Sequence, residues 1–114
     1  MEHDPGISIV FCSVPDVATG HKIADRLLIE KLAACVSIMP LLESHYVWEG
    51  KKEVAREYML LIKLAKKNYS AAEAAICDLH PYICPEILEC SVSRGLPAYC
   101  SWILGMPVDP EAVD

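Results

Sequence analysis

The chain has 114 residues, a formal net charge of −6 and 54% hydrophobic residues. An acidic chain of this kind argues against nucleic-acid binding, because phosphate binding needs a basic surface. One domain of this length can bury a core without disulfides, and the high apolar content favours burial of further surface between subunits.

The first predicted elements are a buried strand and a helix. Ile7–Val14 is a β-branched apolar run, which predicts a strand and is too short for a membrane span or a signal peptide. Asp16 follows as a helix cap, and apolar residues recur at helical spacing over residues 17–31. Gly20 weakens this helix by about 1 kcal/mol relative to alanine.

The middle of the chain predicts a long β-hairpin. A strand begins at Cys35, Pro40 bends it or marks a bulge, and extended character resumes over residues 45–48. The polar segment 49–52 is a turn, and residues 58–64 form the strand that returns.

The second half of the chain predicts a helix, a strand and a short last helix. Ser70 and Glu73 form a capping box that opens an alanine-rich helix, and the following proline ends this helix near His80. Residues 86–92 alternate as a strand does, and residues 98–104 form the short helix.

The order of elements is typical of the split βαβ pattern. We therefore predict an α+β fold, a ferredoxin-like βαββαβ sandwich with an extended β-hairpin and a short C-terminal helix. Residues 7–104 form the single domain. Residues 1–6 are a flexible N-terminus, and residues 105–114 are a loose C-terminal tail.

The six cysteines predict reduced thiols in a cytoplasmic protein. Cys12, Cys35 and Cys90 lie in apolar or alternating runs, where a free thiol behaves as a small hydrophobic residue. The sequence has no CxxC pair and no zinc-finger spacing.

The stretch LHPYICPEIL at residues 79–88 permits two interpretations, a metal site or a stiff corner between a helix and a strand. If it is extended throughout, one face carries His80, Tyr82, Cys84 and Glu86. His80 and Cys84 are then about 13 Å apart, too far to share one metal ion. A metal held by His80 needs a partner from another element or another subunit.

Catalytic motifs are absent from the sequence, which has no GxSxG, Walker loop or HExxH. Glu86 and Glu89 face opposite sides of the predicted strand, so they cannot work as a carboxylate pair. The sequence predicts that the protein is not an enzyme.

Five short blocks, spread over about residues 7–104, resemble the CutA divalent-cation-tolerance family: SVPD at 13–16, EKLAACVSI at 30–38, YVWEGK at 46–51, HPYICPEI at 80–87 and AYCSWI at 98–103. The resemblance implies a small ferredoxin-like protein that forms a tight trimer through its hairpin. It implies tolerance of copper and other divalent cations, and an architecture similar to that of PII signalling proteins.

The resemblance also implies metal ligands. The copper-associated cysteine of the bacterial type matches Cys12, and the second of two consecutive histidines matches His80. The first histidine falls on Leu79, and Ile83 stands where an acidic residue is frequent. The implied ligand is copper or another divalent cation, bound weakly and without an organic cofactor.

Three functions stay open at this point. The leading hypothesis is a cytoplasmic homotrimer, without nucleic-acid or membrane partners, that binds copper or another divalent cation. The alternative is a PII-like signalling trimer that binds a small molecule or anion in clefts between subunits, with Lys51, Lys52 and Arg56 near the hairpin tip. The third is a structural scaffold.

Overall fold

The computed structural model describes residues 4–105, so residues 1–3 of the predicted flexible N-terminus and residues 106–114 of the predicted loose tail lie outside the description. The strands are β1 (Ile7–Val14), β2 (Cys35–Trp48), β3 (Lys51–Ala65) and β4 (Ile87–Ser91). The helices are α1 (Val17–Ile29), α2 (Tyr69–Leu79) and α3 (Pro97–Ile103), and a 3-10 turn at Lys66–Asn68 precedes α2. Within residues 4–105, no helix is long and apolar enough to cross a membrane.

The four strands form one antiparallel sheet in the order β2-β3-β1-β4. β1 pairs with β3 from Ile7 opposite Ala65 to Val14 opposite Tyr58. This order confirms the predicted ferredoxin-like α+β fold, with the first strand inside the sheet and the last strand at its edge.

The main core lies between one face of the sheet and two helices. Its buried residues alternate along the central strands and repeat along α1 and α2: Val10, Cys12, Val14, Leu60, Ile62, Leu64, Ile23, Leu27, Ala72, Ala75 and Ile76. Gly20 permits the close approach of α1, since a Cβ there would lie 3.3 Å from Leu60 Cδ2. The helix therefore tolerates its glycine in exchange for close packing.

On the opposite face of the sheet, which we call the open face, α3 covers the end near Ile7, where Cys100 and Ile103 pack against that residue. Strand pairing places Phe11 beside Leu61 and Leu88, and it places Met39 beside Met59. Met39 and Leu88 are 42% and 59% exposed. The described chain therefore leaves apolar side chains of its sheet open to solvent.

The predicted hairpin is confirmed, with a tighter turn. Glu49 and Gly50 both have positive φ, at 51° and 79°, which is the conformation of a two-residue type I′ turn. Lys51 and Lys52, predicted as part of the turn, instead begin β3. A register shift between Met39 and Leu42 confirms the irregularity expected at Pro40.

The predicted capping box is wrong. Asn68 occupies the N-cap position of α2, and its side chain makes no capping hydrogen bond. Ser70 lies inside the helix, because the 3-10 turn before it already sets helical backbone geometry. Glu73 Oε2 instead accepts a 2.6 Å hydrogen bond from the Tyr69 hydroxyl.

The end of α1 also differs from the prediction, by two residues. The helix ends at Ile29, and Lys31 adopts a left-handed conformation with φ of 58°. The amides of Leu32 and Ala33 then both donate to the Leu27 carbonyl. This local C-terminal motif ends the helix before Lys31.

All six cysteines are free thiols, and their burial divides them. Cys12 and Cys100 are buried, Cys35 is half-buried, and Cys77, Cys84 and Cys90 are exposed. Cys90, predicted to behave as a small hydrophobic residue of an alternating strand, is instead exposed, because it lies on the open face of the edge strand β4.

We expect six thiols to react with a disulfide-exchange reagent after unfolding without reductant, and the two exposed thiols that lie outside the open face, Cys77 and Cys84, to react rapidly in the native protein. Exposed thiols react first because access limits exchange at buried ones. The measurement is a timed thiol titration of freshly purified protein. A total of two or fewer would contradict the prediction of reduced cysteines.

Candidate functional site

The segment after α2 is a bent corner. His80 caps the helix in extended conformation, and its backbone N–H donates a 2.8 Å hydrogen bond to the Ile76 carbonyl. The chain then bends at residues 82–84, so the assumption of an extended segment is wrong. The bend lays Tyr82, Cys84 and Glu86 along the hairpin, where they line a cleft.

The imidazole of His80 holds this corner to the sheet. It is 8% exposed, and its Nε2–H donates a 2.7 Å hydrogen bond to the Ser13 carbonyl. Its Nδ1 accepts a 3.2 Å hydrogen bond from the Tyr82 backbone N–H, and the two rings lie 4.8 Å apart. Both ring nitrogens therefore serve the fold, which confirms the interpretation of His80 as a corner residue.

The thiol of Cys12 reaches the same place from the core side of β1. Its side chain is fully buried, and Sγ lies 3.8 Å from the Ser13 carbonyl oxygen. Burial, assisted by the carboxylate of Glu86, raises the pKa of the Cys12 thiol to about 12. The structure thus brings the two predicted ligands to one carbonyl oxygen, with the thiol protonated at neutral pH.

The donor set for a metal ion is incomplete within one chain. Across residues 4–105, no three His, Cys, Asp or Glu side chains lie close enough to hold an ion together. Leu79 packs against the main core. His45 is exposed on the hairpin and contacts Glu43 at 2.7 Å, and His21 is exposed too.

A cleft of about 740 Å³ lies between the bent corner and the hairpin. Its lining includes three aromatic residues, Tyr46, Trp48 and Tyr82, and the carboxylate of Glu57. Glu57 is only 6% exposed and accepts a 3.1 Å hydrogen bond from the Tyr82 hydroxyl. Burial and this hydrogen bond raise the pKa of Tyr82 to about 12.

Sequence reasoning missed Glu57. It lies in the charged run KKEVARE, which is typical of a solvated hairpin surface. Its burial depends on the corner that folds back over it from residue 80 onwards. No local pattern of polar and apolar residues carries that signal.

The family model of the CutA1 divalent ion tolerance protein matches residues 8–105. The divalent-cation tolerance protein CutA of Citrobacter koseri is 37% identical over 99 residues, which cover 87% of this chain and 86% of that protein. The crystal structure of CutA from Xylella fastidiosa is 40% identical, has a TM-score of 0.86, and is matched over 88% of this chain and 96% of that chain.

A structure from Archaeoglobus fulgidus, described as a periplasmic divalent cation tolerance protein CutA, is 31% identical with a TM-score of 0.84. That match covers 87% of this chain and 96% of the other. The family model and these relatives span nearly all of the domain and confirm the resemblance carried by the five sequence blocks. This chain belongs to the CutA1 divalent ion tolerance family.

Proposed function

We propose that this chain is a cytoplasmic homotrimer, without catalytic activity, that takes part in the response to metal ions by binding copper or another divalent cation weakly. Family membership supports the link to divalent ions. The observation that carries the proposed site is the meeting of Cys12 and His80 at the Ser13 carbonyl.

The chemistry of these two donors accounts for weak binding. A metal ion must displace the proton of the buried Cys12 thiol and replace a hydrogen bond of His80. One thiolate and one imidazole are an incomplete set, and the soft sulfur favours Cu(I). Further donors come from water or from a neighbouring subunit.

Copper titration of matched variants tests this site. We expect Cys12→Ser and His80→Ala to weaken Cu(I) binding by at least about tenfold, because each removes one of two donors. Leu79→His adds a donor next to His80 and is expected to strengthen binding. Cys100→Ser removes another buried thiol, and His45→Ala removes an exposed imidazole, so both serve as controls. Unchanged binding in Cys12→Ser and His80→Ala would rule out the site.

The pH dependence of binding supplies a second readout from the same variants. Because the pKa of Cys12 is about 12, binding releases one thiol proton at neutral pH. Copper affinity is therefore expected to rise about tenfold per pH unit between about pH 7 and 9. Calorimetry of Cys12→Ser across the same range is expected to lack the rise at high pH.

Two further observations support the proposed trimeric assembly and the proposed cytoplasmic location. The open face and the hairpin expose apolar side chains, among them Met39, Val47, Val54 and Leu88, which suits burial against other copies of the chain. Six unpaired cysteines suit a reducing compartment. No observation described above favours the PII-like alternative.

A further inference from the structure

A cavity of about 510 Å³ lies at the end of the sheet farthest from the hairpin tip, where β3 ends at Ala65. Residues at the ends of α1, β3 and α3 line it. Its floor is apolar, with Leu32 packed against the main core and Leu104 packed against the smaller cluster formed with α3. The cavity is therefore formed within one chain, between two parts of its core.

The charged lining of the cavity is cationic. Lys31 and Lys67 line it, and none of the described residues around it is acidic. Neither lysine forms an ion pair with a carboxylate within residues 4–105. Asn68 lines the cavity too, and this N-cap side chain makes no capping hydrogen bond, so its amide group can donate to a ligand. In a chain with a net charge of −6, this local positive charge attracts anions.

Trp102 gives the cavity an aromatic wall. Its side chain is 48% exposed and stacks on Tyr99, with 5.7 Å between the ring centroids. The stack restricts rotation of the indole ring, which lowers the entropy that a ligand loses on ordering it. An aromatic or branched apolar group that enters the cavity can contact this ring and the apolar floor.

We propose that this cavity binds a small organic carboxylate, whose charge lies near Lys31 and Lys67 and whose apolar part contacts Trp102 and the floor. Its volume is within the usual range for small-ligand sites. A phosphate dianion suits it less well, because the apolar floor supplies few donors to replace the water that such an ion loses. A metal ion is unsuited, because no His, Cys, Asp or Glu is among the described lining residues.

The cavity is separate from the copper site and from the surfaces assigned to assembly. It shares no lining residue with the cleft beside the hairpin, and neither Cys12 nor His80 lines it. The exposed apolar residues of the open face and the hairpin that support the trimer do not line it either. Lys31 follows α1 and Lys67 precedes α2, so both lysines belong to the helical layer on the other side of the sheet. We therefore expect the cavity to stay open in the trimer.

Phenylacetate and phenylacetamide test the charge requirement on the unaltered, assembled protein. The two molecules have nearly the same shape, but only phenylacetate is charged at neutral pH. We expect phenylacetate to bind with a dissociation constant on the order of 1 mM, and at least about fivefold more tightly than phenylacetamide or inorganic phosphate. NMR titration at constant ionic strength measures all three. The amide signals of Ala33 and Gly105, which line the cavity, are expected to shift, whereas that of Gly50 at the hairpin tip is not.

Matched variants locate the binding. Lys31→Gln/Lys67→Gln is expected to weaken phenylacetate binding about fivefold and to leave phenylacetamide binding unchanged. Lys22→Gln/Lys52→Gln is its control, because it removes the same charge at two exposed lysines outside the cavity. Trp102→Leu is expected to weaken the binding of both probes, since both contact the indole ring.

The variant Met39→Glu/Leu88→Glu, designed to be monomeric, tests whether the cavity is open in the assembly, because α3 lies at one end of the open face. We expect the trimer and the monomer to bind phenylacetate equally. Binding by the monomer alone would show that a neighbouring copy covers the cavity, and it would overturn the proposal.

The acidic residues that follow Gly105 in the sequence are tested as competing occupants. Asp109→Asn/Glu111→Gln/Asp114→Asn is expected to bind phenylacetate as the unaltered chain does. Binding that appears only in this variant would assign the cavity to the chain's own carboxylates. The proposal would also fail if phenylacetate did not bind, if phenylacetamide bound equally, or if the two double lysine variants lost binding equally. The probe comparison needs no substitution, so it decides the matter even if a variant is unstable.

Discussion

The double variant Met39→Glu/Leu88→Glu is expected to be monomeric, whereas the unaltered chain is expected to have three times its 12.6 kDa chain mass in solution. Both residues lie on the open face, near opposite edges of the sheet, and both are partly exposed in the single chain. An obligate interface buries about 2,000 Å² or more and resembles a core, so unpaired carboxylates within it are strongly destabilising.

Light scattering at micromolar concentration measures this change. The control is Val17→Glu/Ile29→Glu on α1, which replaces two apolar residues that are 40% and 78% exposed on the helical side. The control is expected to keep the mass of the unaltered protein, and circular dichroism checks that both variants remain folded. Assembly through the open face would be contradicted if the unaltered protein scattered light as a monomer. It would also be contradicted if the double variant stayed trimeric.

The largest loss of folding stability is expected from Leu60→Ala. Leu60 is fully buried on β3, opposite Cys12 of β1, and contacts α1 at Gly20. Truncation removes apolar contacts and leaves a cavity between helix and sheet, which costs about 3 kcal/mol of unfolding free energy. The backbone of α1 is fixed by its capping at both ends, so it closes the cavity only in part.

Denaturant unfolding at a fixed protein concentration measures this loss, because assembly adds a concentration term to stability. Leu28→Ala is the matched control, since Leu28 is 42% exposed on α1. We expect the control to lose less than about 1 kcal/mol. Equal losses at the two positions would show that the core is not centred on the contact between Leu60 and α1.

The two interpretations of LHPYICPEIL, a stiff corner and a metal site, assign different roles to the ring nitrogens of His80. As a corner residue it needs both ring nitrogens for hydrogen bonds, and the structure shows both in use. As a copper ligand it must give one of them up. The copper titrations therefore measure a competition between folding contacts and metal, which is the physical reason that weak binding is expected.

The sequence by itself determined the order of elements, the bounds of β1, the cap at Asp16, the end of α2 and the irregularity at Pro40. These features depend on residues near one another in the chain, such as a β-branched run, a capping side chain or a proline. The resemblance to the family came from short blocks of the same local kind.

Only the tertiary structure decided which of these local features meet. His80 and Ser13 are 67 residues apart in the chain, and Tyr82 and Glu57 are 25 apart. The exposure of Cys90 and the failed capping box likewise depend on the open face of the sheet and on a preceding 3-10 turn. Burial and contact between residues so far apart in the chain depend on how the elements pack. Residue type and local spacing do not predict that packing.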